Sequence, residues 1–253
     1  MRRLGALIRS AAAAAIVAAA SPLCGAELQA ISSDGRWIVR ADNESRTLAA
    51  IDARSGALVK RIAVADRRGR SSRVARVLDA PPRRSFVVLL ADLPETWELT
   101  YDPDAAPVFD GLVHDYRMGE GLASRGPLPV RRVMLDVPLA DGLFSPDHAF
   151  FIGRAGAGEL HVVNLDVRRV IERLEVAGEP RPEQGLAWIE ADGLHFAFPD
   201  HAAPHVHWIA AAGWRWQRSI GLPELAVRIG RLPGGGIGAE FASGETQALS
   251  APN

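Results

Sequence analysis

The chain has 253 residues with 29 basic and 30 acidic side chains, a formal charge of −1, a balance that excludes the basic footprint of a general nucleic-acid binder. Its single cysteine, Cys24, excludes an internal disulfide and the Cys-x-x-Cys-His attachment of a c-type haem. The basic residues are nearly all arginine, with Lys60 the lone lysine; the guanidinium fork suits carboxylate partners, and codon bias gives the same excess.

At the N-terminus, Met1-Arg2-Arg3 precedes an alanine-rich apolar run from Ala11 to Ala20. That run is too short to span a bilayer and reads as an export signal over residues 1–26, cleaved after Ala26, which makes the mature chain periplasmic. Cleavage there also removes the only thiol. Acylation of Cys24 as a lipoprotein is the minor alternative, disfavoured by the bulk of Leu23. No later segment is long or apolar enough to cross a membrane.

Next comes a turn–strand sentence: Asp34-Gly35, Trp37 to Ala41, Asn43 to Arg46, Thr47 to Asp52, Ser55-Gly56, then Leu58 to Val64. It recurs from Ser145-Pro146-Asp147 through Phe150 to Ile152, Leu160 to Asp166, and Val170 to Val176. The interval from Asp34 to Asp52 is 18 residues and from Asp147 to Asp166 it is 19. A third, looser copy runs from Leu186 to Ile220. Between the first two lie Ser85 to Leu90 and Thr96 to Tyr101, β-branched and aromatic runs joined by a turn containing Pro94, which read as a hairpin. Such repetition marks an all-β chain of about four propeller blades of roughly 40–45 residues each. Glu159 to Glu172 has helical propensity, but Val162-Val163 and its match to the first copy favour strands. The propeller domain is assigned to residues 27–229. Residues 230–253, with Pro233-Gly234-Gly235-Gly236, read as a weakly structured tail holding at most two short strands.

Two groups of side chains carry chemistry. His114-Asp115-Tyr116-Arg117 puts a base, an acid, a phenol and a permanent cation into the long loop Asp102 to Gly121; it could bind a carboxylated ligand or move protons, or serve only to pack the loop. His201-x-x-x-His205-x-His207 has metal-like spacing, since 205 and 207 share a strand face. The reading finds no acidic or thiol third ligand nearby in sequence, so no metal site is assigned. Hydrolase, P-loop, zincin and dinucleotide fingerprints are absent.

The wording Ser72-Arg73-Val74-Ala75, Phe86-Val87-Val88, Asp92-Leu93-Pro94-Glu95, Trp97-Glu98-Leu99, Tyr101-Asp102-Pro103 and Gly111 to Glu120 resembles the cytochrome d1 haem-domain family. Within it, His114 to Met118 is similar to the NirF-type branch of haem d1 biosynthesis. The resemblance covers about Leu28 to Ala210. It implies part of an eight-bladed propeller that holds haem d1 or a precursor in its central channel, with Arg73, His114, Asp115, Tyr116 and Arg117 at the ligand. Ala140 and Arg181 stand where the nitrite reductases of the family carry two distal histidines, so that mechanism lacks its proton donors. No axial histidine is identified, and whether the chain is an enzyme is left open. The implied function is a periplasmic haem d1 binding or maturation protein serving nitrite reductase in denitrification; the alternative is an interaction propeller without haem. Implied partners are the tetrapyrrole, other maturation proteins or nitrite reductase, and a second copy or another chain completing the ring.

Overall fold

The computed structural model describes residues 28–110, 122–123, 126–156, 158–233 and 235–249. The signal-peptide reading and the His114–Arg117 cluster fall outside them. The described residues form four four-stranded antiparallel sheets, one three-stranded sheet and one short strand pair. The first sheet is β1 (Gln29–Ile31), β2 (Trp37–Asp42), β3 (Thr47–Asp52) and β4 (Leu58–Ala63) in simple meander order. The second takes β5 (Val74–Ala80), β6 (Ser85–Leu90), β7 (Glu95–Thr100) and, after a long excursion, β10 (Val130–Met134). That excursion contains the pair β8 (Phe109–Asp110) and β9 (Leu122–Ala123).

The third sheet is β11 (Gly142–Phe144), β12 (Phe150–Gly156), β13 (Glu159–Asn164) and β14 (Arg169–Glu175). β15 (Leu186–Glu190), β16 (Gly193–Pro199), β17 (His205–Ala210) and β18 (Arg215–Gly221) make the fourth, and β19 (Ala226–Arg231), β20 (Ile237–Phe241) and β21 (Thr246–Leu249) the fifth. These are propeller blades. Their first strands lie side by side, β1 against β5, β11 against β15 and β15 against β19.

Strand alternation shows how the blades stack. β2 buries Trp37, Val39 and Ala41 and turns Arg40 and Asp42 outward, because only one face of the first sheet is covered. β6 and β7 are buried at every position, being sandwiched between the first and third sheets. Four apolar clusters result, each joining one sheet to the next. Trp37, Phe86 and Trp97 belong to the first, Val87, Leu139 and Phe151 to the second, Ile152, Phe196 and Phe198 to the third, and Trp188, Trp208 and Phe241 to the fourth. None of these clusters joins the fifth sheet to the first. The uncovered face of the first sheet carries an aliphatic row, since the registers place Ile31 beside Ile38, Ile38 beside Ile51 and Ile51 beside Leu58. Ile31 and Leu58 at its ends are 54% and 52% exposed.

The repeated turns share one hydrogen-bond design. Ser32 Oγ donates to Asp34 Oδ1 and accepts from the Trp37 N–H, while Asp34 Oδ1 accepts from the Arg36 N–H. Ser145, Asp147, Phe150 and Ala149 repeat these bonds. Gly35 has φ +70° in the first copy, and His148 occupies the same left-handed position at +55° in the second. The end of the second copy needs correction. Asp52 closes its turn by accepting from the Arg54 and Ser55 N–H groups, and its counterpart is Asn164, which accepts from Asp166 and Val167, rather than Asp166 itself. An amide oxygen does the work of a carboxylate oxygen in this turn.

The tail is also corrected. Residues 230–249 are not weakly structured: they hold the end of β19 and all of β20 and β21, and Ile237, Ala239, Phe241 and Leu249 pack into the fourth cluster. The glycines that suggested looseness lie largely in the turn between β19 and β20, flanking alternating strands that cover the fourth sheet.

Candidate functional site

The first strands of three sheets wall a cleft of about 720 Å³, lined by Gln29 and Ile31 of β1, Val77 and Asp79 of β5, and Gly142 and Phe144 of β11, with His148 just beyond. The size and mixed lining suit a small-molecule pocket. β11 can stand this close to β12 only because residue 142 is glycine: a Cβ there would meet Phe151 Cζ at 2.3 Å and Ile152 O at 2.4 Å.

Asp141 lies where the chain enters β11. Its Oδ1 accepts from Arg76 Nε of β5 at 3.1 Å and from the Gly142 N–H at 2.9 Å, and both side chains of the ion pair are largely buried. Burial pushes the Asp141 carboxyl up to about 6, and the charge of Glu183 adds to this against the attraction of Arg76 and Arg154. Glu183 lies in a short 3-10 turn, Pro182–Gln184, ahead of β15, with Arg181 at 3.5 Å. Arg154 Nε and Glu183 Oε2 are buried without a hydrogen-bond partner. Five charged groups from three blades therefore meet at this end of the first strands, with two polar atoms left over.

Toward the other end, Tyr101 donates to Asp79 Oδ1 at 2.8 Å and shares a 2.9 Å hydrogen bond with Ser33. Burial raises the Asp79 carboxyl above its ordinary range, opposed by the Tyr101 hydrogen bond. His148 stacks on Phe144 with ring centroids 4.4 Å apart, and its Nδ1 is buried and unpartnered. Burial lowers its proton affinity and Arg83 lowers it further, which keeps the imidazole neutral. A left-handed histidine where the parallel turn uses glycine is a local strain that sets this ring beside the cleft.

Sequence reading reached this site only in part. It named Ala140 and Arg181 as replaced positions; Arg181 belongs to the charged cluster, and Ala140 is backbone-bonded to Arg154 next to Asp141. It passed over Arg76, Asp141, Arg154 and Glu183. The structure places Arg73 elsewhere, just before β5, with its guanidinium 2.6 Å from Asp92 and Arg46 on the same carboxylate at 3.0 Å. Its hydrogen bonds hold the Asp92 carboxyl far below the usual range. Arg73 is not among the residues lining the cleft. His114, Asp115, Tyr116 and Arg117 lie outside the described residues.

Comparison with known proteins agrees with this architecture. Residues 15–109 match the cytochrome D1 heme domain family. The dihydro-heme d1 dehydrogenase of Pseudomonas aeruginosa is 32% identical over 194 residues, which cover 76% of this chain and 35% of that protein. The solved structure of dihydro-heme d1 dehydrogenase NirN in complex with DHE superposes with a TM-score of 0.70 at 27% identity, over 86% of this chain and 42% of that one. A match to the inner tegument protein of human herpesvirus 8, 32% identical over 117 residues, covers only 12% of that protein and bears on neither fold nor site. Fold and cleft thus define a d1-type β-propeller protein. Over residues 15–109 the chain is similar to the cytochrome d1 haem-domain family, and it spans about a third of the length of the curated dehydrogenase it matches.

Proposed function

We propose that the cleft binds a tetrapyrrole of the haem d1 class, haem d1 or its dihydro precursor, and that the chain serves in maturation of that cofactor. The observation that carries the reading is the cleft itself: three blade-first strands of a d1-type fold wall it, and the Arg76–Asp141–Arg154–Arg181–Glu183 cluster lies behind that wall at one end of the strands. The residues present fit the ligand class. Val77, Leu143 and Phe144 offer an apolar wall to a macrocycle, and Arg154, whose Nε is buried without a partner, would donate to a peripheral carboxylate by turning toward the cleft. His148, kept neutral, is a nitrogen donor of the type that binds iron. The bound group would supply iron and redox chemistry. The chain's own residues would exclude water, hold the carboxylates and, at Asp141, accept or donate a proton near pH 6.

The narrower NirF-type assignment rests on His114 to Met118 alone, and we keep His114, Asp115, Tyr116 and Arg117 as ligand contacts within the same proposal. Arg73 would join them only by leaving Asp92. Export to the periplasm after cleavage at Ala26 is supported by Arg2-Arg3 and the alanine run; mass spectrometry of the exported chain should find Glu27 first. No helix among the described residues is long and apolar enough to cross a membrane. For the uncovered first sheet we propose a second copy of the chain as the partner, on the exposure of the Ile31–Leu58 row.

The test of tetrapyrrole binding is a titration of the mature chain with haem d1 or its dihydro precursor, followed by visible spectroscopy. A saturable one-to-one spectrum is expected, with the band position altered in His148→Ala and the affinity reduced about tenfold or more in Arg154→Ala, the loss of one charge-assisted bond. A wild-type spectrum that never saturates would favour the interaction propeller without haem.

A further inference from the structure

We propose that Asp200, His205 and His207, at the hairpin joining β16 to β17, form a binding site for a divalent metal ion of zinc type. The sequence spacing suggested two imidazoles without an acid; the fold supplies one from the residue just before His201. The His207 ring is wholly buried and its Nε2 lies 2.9 Å from Asp200 Oδ2, while His205 Nε2 lies 3.7 Å from the same oxygen. The three donor atoms all fall within 4.8 Å of one another. Tetrahedral zinc with bonds near 2.0–2.1 Å sets its ligand atoms about 3.3 Å apart, a value between those two separations.

The carboxylate is fixed in advance. Asp200 Oδ1 accepts from the Ala202 and Ala203 N–H groups and Oδ2 from the Glu179 N–H. Gly178 makes room for it, since a Cβ there would meet Asp200 Oδ2 at 2.3 Å. Holding a ligand carboxylate by backbone donors is how metal sites orient their first shell. The arrangement also leaves a demand unmet: two Nε2 atoms converge on one oxygen, only His207 is close enough to bond, and His205 Nε2 is buried with no partner. A cation at their centre would satisfy both rings and the carboxylate at once.

A second grouping in the same sheet shows the contrast. His195 is fully used, its Nε2 on Asp192 at 2.8 Å and its Nδ1 accepting from Trp208 Nε1 at 3.3 Å. Asp192 itself is exposed and not held in this way. His195 is a satisfied core histidine; His205 is not.

The Nδ1 of His207 also lacks a partner. Ligand imidazoles bind more tightly when that nitrogen donates to an acceptor, and its absence weakens metal sites by about 10- to 100-fold. The expected affinity is therefore micromolar. The experiment uses chelator-stripped mature protein without any tetrapyrrole, titrated with Zn²⁺ by calorimetry and with Co²⁺ by visible absorption. One equivalent should bind, with Co²⁺ giving the intense absorption of four-coordinate geometry, and Zn²⁺ should raise the unfolding temperature. His205→Gln, at the partly exposed ligand, and Asp200→Asn should each weaken Zn²⁺ binding at least tenfold, while the exposed neighbour His201→Gln leaves it unchanged. Failure to bind Zn²⁺ at about 100 µM, or equal affinity in His205→Gln and wild type with both folded by circular dichroism, overturns the proposal. Because no haem is present, either result leaves the tetrapyrrole reading untouched.

Discussion

Asp141 combines a buried carboxyl, one arginine partner and a second carboxylate nearby, and the sum favours the protonated form up to about pH 6. A carboxyl whose affinity for its proton rises on folding contributes stability fully present below its unfolded value near 3.8, and loses it as pH climbs through 6. With about 1.4 kcal/mol per tenfold change, the loss approaches roughly 3 kcal/mol. Asp141→Asn cannot ionise, so it should match the wild type near pH 4 and exceed it by a few kcal/mol above pH 7. Urea unfolding at pH 4.5, 6 and 7.5 checks this; parallel curves at all three would show that Asp141 titrates normally. Arg83 is the other residue with an outsized role. It spans the second and third sheets, from Glu98 Oε1 at 2.9 Å to Asp166 Oδ1 at 2.6 Å, and among the described residues Glu98 is otherwise held only by Ser85. Arg83→Ala should cost roughly 3 kcal/mol by stranding a buried carboxylate, whereas Asp166→Ala, at the exposed end, should cost under about 1 kcal/mol. The two are compared by their denaturation midpoints.

Among the elements, the fifth sheet tests whether the C-terminal segment is structural. Its Ile237, Ala239, Phe241 and Leu249 cover Trp188, Val206 and Trp208 of the fourth sheet. Ending the chain at Gly230 would expose that apolar face and leave β19 without its ladder. The truncated protein should collect in the insoluble fraction, and any soluble remainder should unfold without a sharp transition. A soluble, cooperatively unfolding product would show that the fifth sheet is dispensable. The third sheet offers a gentler check. His148→Gly puts the residue of the parallel turn at the left-handed position and removes only the ring stacked on Phe144. Relief of strain and loss of stacking are each about 1 kcal/mol, so stability should barely move while the tetrapyrrole spectrum changes.

For the whole molecule, the two end faces differ. The outer side of the fifth sheet carries the Arg228–Glu240 pair beside an exposed Val227, whereas the free face of the first shows the Ile31–Ile38–Ile51–Leu58 row. An arc of blades with an apolar end is the form that associates. Ile31→Lys with Leu58→Glu should shift the mature protein toward monomer in light scattering without altering its circular dichroism. An unchanged mass in the double variant would show that copies do not meet on this face.

The all-β class, the blade repeat and the strands Ser85 to Leu90, Trp37 to Ala41 and Leu186 to Ile189 were legible in the sequence, because alternation and turn chemistry act over a few residues. The family likeness was legible for the same local reason. The fifth sheet was not, since its glycines hide an alternation that matters only once the fourth sheet is there to be covered. The site was less legible still. Arg76 and Asp141 are 65 residues apart, and nothing local marks either one; blade stacking brings them together, and burial then moves the carboxyl into the physiological range. Asp200 was adjacent to the histidine motif, yet its direction toward His205 and His207 is set by the Glu179 and Ala202 N–H groups. The sequence by itself determined the strands and their repeat; only the tertiary structure decided which side chains share a cleft, because that depends on how blades pack across long stretches of chain and how much water the packing excludes.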